Sequence, residues 1–70
     1  MRVDHHNFYS EDGSREAIVF HLDGAWYVDL LEGSVGALQL VETRKMETDG
    51  VLHSERYAED CAENWVLHVF

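Results

Sequence analysis

Five histidines, one cysteine and fourteen Asp and Glu side chains are the groups of this chain with chemistry to offer. Imidazole, thiolate and carboxylate are the ordinary ligands of zinc and its neighbours. Asp4, His5 and His6 stand in a row. Successive residues of a regular strand point to opposite faces, so a strand cannot aim all three at one ion. His21, His53 and His68 are scattered, and no H-x-x-x-H pair or second cysteine sets a ligand spacing. The expectation is edge and surface histidines with no metal. Cys61 beside a histidine would make a thiol nucleophile. Its place between Tyr57 and Trp65 on an apolar helix face makes it a small, inert core residue instead. Glu11-Asp12, Glu59-Asp60 and Glu47/Asp49 have no cleft around them to split their proton affinities, as acid–base work requires. The loops Asp12-Gly13-Ser14 and Gly33-Ser34-Val35-Gly36 lack the lysine and the strand-to-helix setting of a phosphate loop. The expectation is a non-enzyme with no catalytic residue and no cofactor.

The elements that would position these groups are legible from pattern. From Ser54 to Phe70, residues Tyr57, Ala58, Cys61, Ala62, Trp65, Val66 and Val69 gather on one side of a helix at 100° per residue. Arg56, Glu59, Asp60, Glu63 and Asn64 fall opposite. Ser54 is placed to cap the first turn, and Glu55 to meet the positive end of the helix dipole. Arg56 and Asp60, four apart, can pair. Upstream, Arg2 to Tyr9, Glu16 to Leu22, Ala25 to Leu31 and Ala37 to Lys45 read as strands. Asp23-Gly24 suits a two-residue type I′ hairpin that pairs Leu22 with Ala25, Phe20 with Tyr27 and Val19 with Val28. Residues 32 to 36 and Thr48-Asp49-Gly50 turn the chain, the latter with a stub strand from Val51 to His53. The expected fold is α+β over residues 1–70, one domain: a four-stranded antiparallel β-meander packed against one C-terminal α-helix. Trp26 and Trp65 are its expected central contacts.

That register makes the hairpin apolar on both faces. Ala17, Val19, His21, Trp26, Val28 and Leu30 share one; Ile18, Phe20, Leu22, Ala25 and Tyr27 share the other. One helix covers one face, so Ile18, Phe20, Leu22 and Tyr27 form a candidate interface for a second copy of the chain or for another protein.

Fourteen acidic against five basic residues leave a formal net charge of −9. Phosphate contacts need Lys and Arg, so direct nucleic-acid binding and attachment to an anionic membrane are both disfavoured. The charge suits a basic protein surface, with Glu59, Asp60 and Glu63 as candidate contacts. Glu55, Glu59 and Glu63 recur at roughly 6 Å along a helix, close to the spacing of successive phosphates. An alternative reading is therefore a DNA mimic that inhibits a nucleic-acid-binding host or defence complex. An apolar fraction of 46 % argues for a folded chain despite the charge. One cysteine excludes an internal disulfide. No apolar run approaches the roughly 20 residues of a membrane span, and the start M-R-V-D-H-H lacks a signal-peptide core. The expected compartment is the cytoplasm.

The segment from His53 to Val66, H-S-E-R-Y-A-E-D-C-A-E-N-W-V, resembles the C-terminal end of small uncharacterised proteins of tailed phages that infect marine cyanobacteria. The match covers Tyr57 to Trp65, a Tyr-Ala-Glu-Asp-x-Ala-Glu-Asn-Trp helix with Cys61 at the variable place. Gly24 to Asp29 is similar to a hairpin of the same group. The resemblance implies a lytic-phage accessory protein acting in the host cytoplasm by binding and modulating one host protein. Catalytic or ligand residues do not come with it. The resulting expectation is a non-enzymatic, acidic, protein-binding module that forms a homodimer.

Overall fold

The computed structural model describes residues 1–70. Four strands, β1 (Val3–Tyr9), β2 (Arg15–Leu22), β3 (Ala25–Ser34) and β4 (Ala37–Lys45), form one antiparallel sheet in the order of the chain. A short hairpin of β5 (Glu47–Thr48) and β6 (Val51–Leu52) leads into α1 (Glu55–Val66). The α+β meander with one C-terminal helix is the expected fold. Asp23 and Gly24 both carry positive φ, 50° and 83°, as a type I′ turn requires. The register they set is Leu22↔Ala25, Phe20↔Tyr27, Val19↔Val28. Asp49 and Gly50 repeat the device between β5 and β6. The β3–β4 turn is tighter than residues 32–36 suggest, because Ser34 already pairs with Ala37. Gly33 therefore lies inside β3. A Cβ there would meet the carbonyl oxygen of Ala37 at 2.6 Å, so the ladder needs glycine.

Both edge strands carry a bulge. Asp4 pairs with Phe20 and His6 with Val19, which leaves His5 unpartnered in β1. In β4, Leu40 pairs with Leu31 and Glu42 with Leu30, which leaves Val41 unpartnered.

The helix lies over β1, β2 and β3. Between the layers sit Ala17, Val19, Val28, Leu30, Ala58, Ala62, Trp65 and Val66, the sheet face and helix stripe expected from the pattern. Met46 completes this core and was not among the expected residues. It is held by its own backbone, donating from its N–H to Trp26 O and accepting from His53 N–H, each at 2.9 Å. Trp26 sits half-buried at the margin with His5 and His21 edge-on to its indole. Trp65 is the central aromatic.

Ser54 caps α1 by accepting from Tyr57 N–H. At the other end His68 takes φ 60°, and its N–H donates to Trp65 O while Val69 N–H donates to Asn64 O. This is the pattern of a Schellman stop. The helix thus ends at Val66, three residues before Val69, which is exposed rather than on the core face. Tyr57, also expected inside, is 48 % exposed and stacks on His53 with centroids 3.9 Å apart. In the β1–β2 loop, the Asp12 carboxylate accepts from Ser14 N–H, Ser14 Oγ and Ser10 Oγ, and these bonds hold its pKa far below the usual carboxylate range. No helix is long and apolar enough to cross a membrane.

Candidate functional site

The open sheet face does not present the continuous apolar patch expected of it. Phe20 is only 3 % exposed, while Ile18, Leu22 and Tyr27 are half-buried. Phe20 stacks on Tyr27 with rings 9° from parallel, and the Arg2 guanidinium covers it at 3.6 Å. Arg2 stays there because Asp4 Oδ1 and Asp29 Oδ2 each hold it at 2.7 Å. Thr43 Oγ1 donates to the other Asp29 oxygen at 2.6 Å, so that buried carboxylate is satisfied on both sides. Desolvation lowers the pKa of Arg2, but the two carboxylates more than offset it and leave the guanidinium more basic than usual. A polar lid thus covers Phe20, at the centre of the patch, from within the chain itself.

The less protected surface lies one strand further out. β4 is an edge strand whose outer backbone groups have no partner. Its second half carries Glu42, Arg44 and Lys45, the charges that usually keep an edge unpaired. Its first half, Ala37 to Val41, carries none, and Leu40 and Val41 are each 57 % exposed. Because α1 does not reach over β4, a groove of about 430 Å³ opens between the end of that strand and the outer flank of the helix. Met46, Tyr57, Cys61 and Phe70 give it its apolar lining, and Arg44, Lys45, Glu47, Asp60 and Asn64 its polar one. Both cations have acidic neighbours, Arg44 at 3.2 Å from Glu42 and Lys45 at 3.1 Å from Glu47. Such a groove takes an apolar side chain rather than an anion.

Cys61 borders this groove, half-buried. Burial pushes its thiol pKa up, and the neighbouring Arg44 only partly counters that. Alkylation by iodoacetamide at pH 8, followed by intact-mass spectrometry, is expected to run about tenfold slower in the native protein than in urea. Equal rates would show the thiol to be free.

The acidic helix face divides in a way the helical wheel did not anticipate. Asp60 and Glu63 are exposed, with Asp60 Oδ1 3.6 Å from Arg56. Glu55 and Glu59 are half-buried instead, because they lie on the flank that faces β1. There His6 Nδ1 lies 2.5 Å from Glu59 Oε2, and His5 Nδ1 3.6 Å from Glu55 Oε2. The bulge lets both histidines turn toward the helix, which a regular strand forbids. Strict alternation therefore does not hold between His5 and His6, while Asp4 points away to Arg2 and the three residues still do not converge. His6, Glu55 and Glu59 each offer a ligand atom, all within 4.8 Å of one another.

The site residues expected from the sequence therefore fall in two places: Ile18, Phe20, Leu22 and Tyr27 on the lidded sheet face, and Glu59, Asp60 and Glu63 on the helix. The structure does not bring the two sets together. It adds Leu40, Val41 and the groove, whose signal in the sequence is the uncharged run A-L-Q-L-V at the head of β4. Comparison with protein-family models, with curated proteins and with solved structures finds no match to this chain.

Proposed function

We propose that the chain is a non-enzymatic protein-binding module that takes an extended segment of its partner onto the edge of β4. One observation carries this reading: the half of that edge free of charge is also the half that exposes Leu40 and Val41. A segment paired there continues the backbone ladder of the sheet, with its apolar side chains against Leu40 and Val41. A second copy of the chain meets the same requirement, since two β4 edges pair antiparallel about a two-fold axis. The phage resemblance of Tyr57 to Trp65 supports a host protein as the physiological partner, met in the host cytoplasm. The DNA-mimic alternative finds less support, because of Glu55, Glu59 and Glu63 only Glu63 is free of a histidine neighbour.

The test is a Leu40→Lys/Val41→Lys double variant. Lysines on the edge oppose strand pairing and, being exposed, should change stability by less than about 0.5 kcal/mol per site. Wild type is expected to sediment as a dimer at micromolar concentration and the variant as a folded monomer. Bait columns of the two proteins should retain different proteins from host lysate. Identical sedimentation and identical retention would sink the reading.

A further inference from the structure

The cluster between β1 and α1 has the composition of a metal centre. One imidazole from the strand and two carboxylates from the helix converge there, the fold bringing His6 to a carboxylate pair that the sequence spacing sets. Glu55 and Glu59 are four apart, so they stack on one helix face. His6 reaches them across the layer gap. We propose that His6, Glu55 and Glu59 bind one divalent first-row transition-metal ion, Zn²⁺ being the best fit, and that the ion clamps β1 onto α1.

Donor chemistry selects the metal. Imidazole suits zinc and its neighbours, whereas Mg²⁺ and Ca²⁺ take oxygen ligands almost alone. Geometry admits it as well. Zinc bonds of about 2.0 Å place tetrahedral ligand atoms about 3.3 Å apart. The three donors already lie within 4.8 Å of one another. His6 Nδ1 and Glu59 Oε2, 2.5 Å apart, need to separate by less than ~1 Å. Neither carboxylate is held by a lysine or arginine: Glu59 faces His6 of the cluster, and Glu55 faces the adjoining His5. His5 adjoins Glu55 and its ring leans on Trp26 with centroids 4.7 Å apart, a placement suited to orienting that carboxylate. His6 is exposed, so water can reach the ion and supply a fourth ligand, as at sites with three protein ligands.

A clamp here acts where the fold is thinnest. β1 is an edge strand, and its residues from Val3 to Asn7 are all exposed. An ion bound only by the folded chain stabilises it in proportion to its occupancy.

The experiment uses the full chain without a histidine tag, stripped with EDTA and dialysed, and titrated calorimetrically with ZnCl₂ and separately with MgCl₂. One Zn²⁺ per chain at micromolar affinity is expected, with no Mg²⁺ binding and a higher melting temperature in Zn²⁺. His6→Ala and Glu59→Gln should each weaken binding at least tenfold. His68→Asn, at the far end of α1, should leave it unchanged. On wild type alone, ¹H–¹⁵N spectra should show the ring nitrogens of His6 shifting with Zn²⁺ while those of His68 stay in place, which keeps the test valid if a variant unfolds. No saturable Zn²⁺ binding, binding undiminished in folded His6→Ala and Glu59→Gln, or an unmoved His6 ring would each overturn the assignment.

Discussion

Trp65→Ala is expected to leave a chain that is largely unfolded in buffer at 25 °C. Its indole fills the space between α1 and the sheet, donates from Nε1 to Leu31 O at 3.1 Å, and lies under the Arg15 guanidinium at 3.8 Å. Truncating a buried tryptophan costs about 3–5 kcal/mol. A single small core rarely supplies more than about that. Arg15 adds to the loss because its guanidinium gives up the indole face it covers, although its Nη1 keeps its bonds to the main-chain Trp65 O at 3.0 Å and Phe70 O at 2.6 Å. Urea melts followed by circular dichroism measure the effect without relying on tryptophan emission. Trp65→Phe should recover most of the packing and lose about 1 kcal/mol for the unpaired Leu31 carbonyl. A Trp65→Ala protein with a midpoint near wild type would show that the indole is not central to the core.

Phe20→Ala separates two views of the open sheet face. As an interface residue, Phe20 would be removable without loss of fold, and the apparent mass would drop. As a residue buried beneath Arg2, its removal should cost about 3 kcal/mol. The loss has two parts. The ring gives up its stack on Tyr27, and Arg2 loses the surface it rests on while Asp4 and Asp29 still hold it. We expect the second outcome: a lower denaturation midpoint and an unchanged sedimentation coefficient in whatever fraction remains folded. A stable Phe20→Ala protein of reduced mass would restore the face as a contact surface.

What could be read from the sequence was whatever depends on near neighbours. The Asp23-Gly24 turn sets the register of β2 and β3 because only two residues close it. From that register the core face of Ala17, Val19, Val28 and Leu30 follows. The helix stripe of Ala58, Ala62, Trp65 and Val66 follows from angle alone. Features that arise between distant segments were hidden. Met46 looks like a connector until Trp26 accepts its N–H. Phe20 looks uncovered until Arg2 reaches across from just ahead of β1, held there by carboxylates on two strands. Tyr57 lies at one border of the apolar stripe, beside the uncovered flank of α1. Glu59 lies toward the other border, where β1 comes up to meet it. A helical wheel sorts residues around an axis and does not say which flanks the sheet will reach. The histidine cluster was missed for a related reason. Alternation forbids adjacent side chains from facing one way, and a bulge suspends alternation for one residue without any mark in the composition.

That bulge has a further consequence in the terms of insertion and deletion. Asp4↔Phe20 and His6↔Val19 are consecutive rungs on the β2 side. Cutting His5 out on paper therefore leaves every other residue of β1 with its present partner and its present face. The strand is complete at one residue fewer, and His5 is the surplus. A chain without it would have a straighter edge with the same Arg2 lid, and would lack the imidazole beside Glu55 and its edge-on contact with Trp26. The length of β1 is thus a record of something other than the needs of the sheet.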